Sequence, residues 1–499
     1  MNFISMHHTE PELCFREAFL KGRDDDGSIF VPDELPALDA EELKAWGHEP
    51  LRELAAHLLT RLVGDMDEAS ASALIREAFP EDYFAEELMA ARALNPYKKD
   101  QLICFLDRGP SGKRQDYFLA LDHSLRQFYG QTERRLYITA PNDASILSLA
   151  ADPSQEKSLS LFLTDAHYDD RSIEELERLL PQEGTLGIRL LSETGGETPA
   201  WWSIPENAGL SQAIRDMGLA PVYLDGSSPL EIMSAILLLS MALSRLLADE
   251  LIHHDEPVLF AAPSYAMEYV LAALYLKGAG LPIGRILVCD SRNKLFSDFL
   301  RSGRFNLKRK SFKTYFQNDD LTFSPALQML IFELSGRNRE LLSSWRRDLS
   351  EAGSFSVEAA IAESWREHLT GIFADDRSIE KEAKRLYNET DHLLDPGAVA
   401  CFASLDRVSP QDLRFGSLVF CGDHPLCHAD YASAVLFDSK EGKLSPATPL
   451  TERLSEEAGI PVPCGMQKTA SENHDHRLFQ DATPETFGQI LLQLLRQQL

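Results

Sequence analysis

Basic residues are in short supply here, 49 Lys and Arg against 78 Asp and Glu, for a formal net charge of −29. A surface of that sign repels phosphate backbones and anionic lipid, which argues against nucleic acid or a membrane as a general partner. Cysteines are also few: Cys14, Cys104, Cys289, Cys401, Cys421, Cys427 and Cys464 are odd in number and mostly far apart. Such spacing does not build a secreted disulfide framework; it fits a reducing compartment, and a cytoplasmic location is expected. No apolar run reaches membrane-spanning length. The longest, 236–248, is interrupted by Ser240, Ser244 and Arg245 and reads as a buried helix. The first eight residues show neither the basic region nor the apolar stretch of an export signal.

What is present is ample material for cores: 499 residues, 44% hydrophobic, enough for several domains. Near the N-terminus, Asp39 with Glu42 has the acidic start of a helix, and 51–63 has helical spacing. From residue 100 the pattern alternates. Short apolar runs at 102–106, 135–139, 159–163, 221–224, 257–261 and 285–288 predict strands. Helical stretches at 117–128, 173–180, 229–247 and 267–277 separate them. Strands alternating with helices predict an α/β chain with parallel sheets covered by helices. A final helix is expected over 484–499.

The stretch 109–121 reads Gly-Pro-Ser-Gly-Lys-Arg-Gln-Asp-Tyr-Phe-Leu-Ala-Leu. It resembles the cofactor-anchoring segment of the threonine synthase family, Gly-Pro-Thr-Leu-Ala-Phe-Lys-Asp-Phe. Gly109, Pro110 and Asp116 are in register, and Ser111 stands for the threonine. Further matches follow in order. Ile29 to Pro32 is similar to the family's Gly-Leu-Phe-Val-Pro, and Pro263-Ser264 to the start of its Pro-Ser-Gly-Asn-Phe-Gly. Asn293 falls in its asparagine turn, and Leu394 to Val399 resembles Leu-Asp-Pro-His-Ser-Ala-Val. His424-Pro425 resembles the end of Thr-Ala-His-Pro. The resemblance spans about 1–435. It implies the two-domain tryptophan-synthase-beta-like fold (fold type II) of pyridoxal-phosphate enzymes behind an N-terminal threonine-synthase domain. The expected layout is an N-terminal domain at 1–95, a large domain at 96–118 and 255–440, a small inserted domain at 119–254 and an extension at 441–499.

The family's reaction, conversion of O-phosphohomoserine and water to threonine and phosphate, needs a lysine that holds pyridoxal phosphate as a Schiff base. That position is Gln115, and an amide neither condenses with an aldehyde nor carries protons as an amine does. Phosphate is cradled by glycine-rich turns at helix N-termini. The resemblance puts Pro-Asn-Asp-Ala-Ser (141–145) where the family has Ser-Gly-Asp-Thr-Gly, and Tyr265-Ala266-Met267-Glu268 over Gly-Asn-Phe-Gly. Glu268 is expected to add a charge that opposes phosphate. Gly422 replaces the threonine that meets the pyridine nitrogen, and Cys427 replaces a nearby lysine.

These departures predict a degenerate cleft formed by Ser111, Asp116, Asn142, Asp143, Ser264, Asn293 and His424, with no Schiff-base cofactor. The expected role is binding or scaffolding, through a protein partner or a small anionic ligand in the cleft. The alternatives are an enzyme of altered chemistry, holding pyridoxal phosphate without a Schiff base, and an active threonine synthase-like lyase with Lys113 as the displaced amine. Cys421, Asp423, His424, Cys427 and His428 have a composition that suits zinc but not the spacing of a zinc module, so a metal-free turn is expected. The basic run 303–313, with two interleaved phenylalanines, is a candidate for an anionic ligand or acidic partner. Trp201-Trp202 is a candidate interface anchor, and His474 and His476 read as a solvated loop.

Overall fold

In a computed structural model the chain is described except at residues 10, 25–26, 85–88, 140–147, 150–157, 166–172, 174–176, 178–183, 192–203, 205–206, 311, 317–322, 438–446 and 467–477. Asn142, Asp143, Trp201, Trp202, His474, His476 and most of the expected helix at 173–180 therefore lie outside the described residues.

The chain opens with β1 (Asn2–Ser5), β2 (Leu13–Cys14) and β3 (Phe30–Pro32), an antiparallel sheet in the order β2-β1-β3. Helices Ala40–Trp46, Leu51–Val63 and Glu68–Ala78 follow. Asp39 starts the first of these by accepting the N–H groups of Glu41 and Glu42. Leu51–Val63 buries Leu54, Leu58, Leu59 and Leu62, the i, i+4 stripe its sequence carries, and Gly64 ends it at φ 81°.

β4 (Ala90–Asn95) and β5 (Lys98–Phe105) form a hairpin. Helix Gln115–Phe128 leads into β6 (Arg134–Thr139), β7 (Ser158–Asp165), β8 (Thr185–Leu190) and β9 (Leu219–Tyr223). Helix Pro229–Ala248 returns the chain to β10 (Val258–Pro263), helix Met267–Gly278 and β11 (Ile283–Asp290). A small pair, β12 (Arg304–Asn306) with β13 (Ser354–Ser356), precedes β14 (Leu369–Phe373), β15 (Ser417–Cys421) and β16 (Phe479–Ala482). The expected strands fall within these bounds or within a residue or two of them.

Two sheets result. The larger runs β14-β11-β10-β15-β5-β4, parallel except for β4. The carboxyl ends of its parallel strands therefore lie along one edge, where ligands sit in open α/β sheets. The smaller runs β16-β8-β7-β6-β9, all parallel. Its edge strand β16 comes from the C-terminal stretch, and Arg189 holds Asp481 on it through two hydrogen bonds of 2.7 and 2.8 Å.

Pro229–Ala248 matches the helix expected over 229–247 to within a residue. Its 20 residues are long and apolar enough to cross a membrane, yet 89% of its most apolar window is buried inside the protein. Ser244 returns its hydroxyl to the Ser240 carbonyl at 2.8 Å, so the helix carries that polar group into the core at little cost. Gly47 lets Ala40–Trp46 approach it. A Cβ there would lie 2.1 Å from the Ser244 carbonyl oxygen.

Gly47 has φ −59°, so alanine suits its backbone and, without the close approach, would stabilise by roughly 0.4–1 kcal/mol. We expect the opposite: Gly47→Ala should destabilise by about 1–3 kcal/mol through overpacking. Urea unfolding of both proteins checks this; a variant at least as stable as the parent would mean that the helices do not meet here.

Candidate functional site

Four loops meet at the carboxyl edge of the larger sheet: residues 106–114 after β5, 264–266 after β10, 291–294 after β11 and 422–428 after β15. The first is closed by its own carboxylate. Asp116 accepts from Ser111 N (2.9 Å), Ser111 Oγ (2.7 Å) and Lys113 N (3.4 Å). Gly109 leaves room for that carboxylate, since a Cβ would sit 2.3 Å from Oδ2. Burial pushes the Asp116 pKa up to about 7 against the lowering effect of these hydrogen bonds.

The first and last loops are zipped together. Arg114 N donates to Gly422 O at 2.9 Å, and His424 N donates to Gly112 O at 2.6 Å. Between these bonds Lys113 Nζ reaches Asp423 Oδ2 at 3.1 Å, and His428 Nε2 meets the same oxygen at 3.1 Å. The Lys113 side chain is 1% exposed and that of Asp423 4%, so this is a fully buried ion pair. Arg114 Nη1 stands 3.5 Å from Asp423 Oδ1, an ion contact without a hydrogen bond. Its Nε donates to Glu268 Oε1 at 2.9 Å and its Nη2 to Tyr265 O at 3.1 Å, with the guanidinium 5.3 Å from the Tyr265 ring centroid. Tyr265 Oη donates to Asp395 Oδ1 at 3.1 Å, and that same oxygen caps helix Pro396–Leu405.

The pKa shifts follow from this packing. Burial alone would raise Asp423, but Lys113, the His428 hydrogen bond and Arg114 hold it well below the ordinary carboxylate range. Burial, with the Asp423 charge, raises Asp395, and burial brings Asp107 to about 6. Burial, aided by the cations Arg108 and Lys113, lowers His424 to about 3.

Of the expected cleft residues, Ser111, Asp116 and His424 come together in the first and last loops. Ser264 N bonds Cys289 O at 2.9 Å, and Asn293 ties its own loop to Phe312, so these two hold neighbouring loops instead. Glu268 corrects an expectation: its carboxylate is no unpaired negative charge but the partner of Arg114. The Cys and His residues of 421–428 disperse. Cys421 is buried in β15, the Cys427 thiol donates to Ser111 O at 3.5 Å, His424 accepts from Leu426 N, and His428 meets Asp423. Among the described residues no group of three or more His, Cys, Asp or Glu side chains could hold a metal ion. From the sequence, Arg114 and Asp395 have no assigned role, and Tyr265 stands only as a departure from the family's Gly-Asn-Phe-Gly. The adjacent bases Lys113-Arg114 in so acidic a chain were the available signal, but their partners lie far along it.

Pyridoxal phosphate does not fit these residues in the family's manner. Gln115 heads its helix with no amine to offer, and its Oε1 is buried without a hydrogen-bond partner. The Lys113 amine is engaged by Asp423. The turn after β10 presents the Tyr265 carbonyl to Arg114, and Tyr265 Oη would lie 2.1 Å from a Cβ at Gly397, so the ring fills the space a side chain there would take. The C-terminal stretch lies over the first loop: Gly465 N donates to Pro110 O at 2.7 Å, and Met466 Sδ lies 3.8 Å from Cys427 Sγ.

Comparison with known proteins agrees with this architecture. Residues 2–79 match the family model "Threonine synthase N terminus". Human threonine synthase-like 1 is 22% identical over 436 residues, covering 81% of this chain and 57% of that protein, so the chain spans little more than half of that relative's length. Threonine synthase from Pseudomonas aeruginosa is 22% identical over 407 residues, covering 79% of this chain and 82% of the enzyme. Among solved structures, PLP-bound threonine synthase from Brucella melitensis superposes with a TM-score of 0.73 at 17% identity, covering 100% of this chain and 99% of that one. Yeast threonine synthase gives 0.71 at 16% identity, covering 100% and 98%. The fold is the threonine synthase form of fold type II, from end to end. Residues 2–79 carry the threonine synthase N-terminal domain, and over most of its length the chain is similar in sequence and fold to threonine synthases and threonine synthase-like proteins.

Two measurements test the buried network. Lys113→Met leaves Asp423 without its closest cation and should cost about 3–5 kcal/mol, whereas Lys113→Met with Asp423→Leu should recover much of the loss. Additive losses in denaturant unfolding would show that the two side chains do not interact. His424 supplies a pH signature. Its folded pKa of about 3 lies below the unfolded value, so only the unfolded chain takes up that proton as pH falls from about 6.5 toward 3. Stability from this group is full at neutral pH and drains in acid, with a slope of up to roughly 1.4 kcal/mol per pH unit. The urea midpoint of His424→Gln should therefore fall less than that of the parent between neutral and mildly acidic pH; equal falls would place His424 in solvent.

Proposed function

We propose that this chain is a non-catalytic member of the threonine synthase family, a cytoplasmic binding or scaffold protein whose former cofactor cleft has been rebuilt as a structural ion network. The observation that carries the reading is that departures from the family's motifs occur in contacting pairs. In register with Gly-Pro-Thr-Leu-Ala-Phe-Lys-Asp-Phe and Thr-Ala-His-Pro, Lys113 and Asp423 both stand where the family has alanine, and they form the buried ion pair. Arg114 replaces a phenylalanine and Glu268 a glycine, and they pair as well. Tyr265 replaces a glycine and Gly397 a histidine, and the tyrosine ring takes up the space. Loss of selection on a site predicts scattered changes; matched changes of charge and volume support a cleft kept folded for a use that does not require the anchored cofactor.

The rival reading, an active enzyme with Lys113 as the displaced amine, rests on that residue being the lysine beside the lost position. Its amine would have to leave Asp423 to react. One experiment separates the two. The purified protein is incubated with pyridoxal phosphate, reduced with borohydride, digested and mapped by mass spectrometry. We expect no lysine to be modified stoichiometrically. Full phosphopyridoxyl labelling of Lys113, together with rescue of a threonine-requiring bacterium by this gene, would overturn the proposal.

A further inference from the structure

Cations left without anions are unexpected in a chain with 29 more acidic than basic residues. Most of the described guanidinium groups along 301–309 and 385 do find carboxylates: Arg301 and Arg309 share Asp298, and Arg385 bridges Glu382 and Glu389. One patch behaves differently. Among the described residues Arg292, Lys294, Lys310, Lys313 and Arg407 form no ion pair with a carboxylate.

Four of these side chains are gathered on two phenyl rings, and Lys313 follows Phe312 in the chain. Asn293 fixes the returning basic run by donating Nδ2 to Phe312 O at 2.9 Å and accepting Phe312 N at 2.8 Å. The Phe312 ring then lies 4.3 Å from the Arg292 guanidinium and 5.4 Å from Lys310 Nζ. Phe373, at the end of β14, lies 3.7 Å from Lys294 Nζ and 5.4 Å from the Arg407 guanidinium. Lys294 takes a left-handed backbone, φ 56°, to stand there, a conformation that costs a non-glycine residue of order 1 kcal/mol. The nearby acids make their hydrogen bonds elsewhere: Asp375 caps helix Asp376–Thr390, feeling the Arg292 charge without an ion pair, and Asp290 accepts Ser297 N. Arg292, Lys310, Lys313 and Arg407 are exposed. The patch sits at the carboxyl ends of β11 and β14, on the ligand-bearing edge of the larger sheet.

We propose that this patch is a docking surface for an acidic protein segment, a short run of Asp and Glu. Positive charge without a carboxylate ion pair supplies complementarity and a fast encounter. A nucleic acid strand fits less well for two reasons. The rings already carry the protein's own cations, so their faces are not free to stack bases. Beyond the patch the surface returns to the acidic sign of the whole chain, which repels a long polyanion but not a segment short enough to stay within it. The surface stands whether or not the neighbouring cleft binds a cofactor.

The test uses the full chain and a fluorescein-labelled octaglutamate peptide, read by anisotropy at low salt and at roughly physiological salt, where the Debye length is about 8 Å. The parent should bind, more weakly at the higher salt, and Arg292→Gln/Lys310→Gln/Lys313→Gln should bind at least about tenfold more weakly, equivalent to about 1.4 kcal/mol. Lys313→Glu alone, at an exposed side chain with no ion pair, gives a smaller loss in the same direction without risk to the fold. Absence of binding by the parent, or equal binding by the parent and both variants, overturns the proposal. Octauridylate binding as tightly as the peptide, and lost in the same variants, overturns it in favour of a nucleic-acid surface.

Discussion

A lysine ammonium and an aspartate carboxylate shut away from water hold the centre of this molecule together. Removing two such charges from solvent costs several kcal/mol each, and their attraction offsets that only with good geometry and further hydrogen bonds. Both are supplied. The Lys113–Asp423 pair lies between two backbone hydrogen bonds that join the loops leaving β5 and β15, and His428 meets the same carboxylate oxygen. With Lys113 so placed, the next residue, Arg114, is carried toward Tyr265 on the loop after β10 and Glu268 in the first turn of the helix that follows. Tyr265 in turn reaches Asp395 at the start of Pro396–Leu405. A single buried pair thereby fixes the relative positions of four segments that the sheet alone would leave independent at their ends.

The same network explains why the cleft is occupied by side chains. Small and large residues have changed places across it. Gly422 faces the Phe420 ring and the Arg114 chain, where a Cβ would lie 2.6 and 3.0 Å from them, and Gly397 faces Tyr265. A glycine at either position serves to admit a neighbour rather than to bind an anion. A glycine in a cofactor cradle exposes N–H groups; here the inward groups are the Tyr265 carbonyl and the Glu268 carboxylate, both of which suit a cation, and Arg114 is that cation. Sites that carry buried charge are intolerant of partial change, because each group removed leaves another unpaired.

Much of the fold could be read from the sequence because its signals are local. Leu51–Val63 carries its own apolar stripe and terminal glycine, Asp39 its own cap, and the buried strands β10 and β11 their apolar runs. β16 could not be read this way. It has four residues, Phe-Gln-Asp-Ala, and becomes a strand only because β8 offers an edge and Arg189 a partner for Asp481. The site divides along the same line. Gln115 and Gly422 are visible as departures at single positions. The pairing of Lys113 with Asp423, 310 residues apart, and of Arg114 with Glu268, 154 apart, arises only when the parallel sheet brings its strand ends together. Glu268 was misread for that reason: a charge has no fixed electrostatic meaning until its partner is known.

The C-terminal stretch bears on how the two sheets can move. Its segment at 463–466 is tied to the loop at 110–112 through the Gly465–Pro110 hydrogen bond and the Met466–Cys427 contact, and Pro463 lies close against Gly112. Further on, β16 is hydrogen-bonded into the smaller sheet. One stretch of chain therefore touches the larger sheet at its ligand edge and completes the smaller sheet. Opening the cleft by moving the loop at 110–112 away from 422–428 and 463–466 would break these contacts and would expose the ions at the centre. A protein that admits and releases a substrate needs that opening to be cheap. Here the buried pair and the contacts of 463–466 with the first loop both favour the closed arrangement.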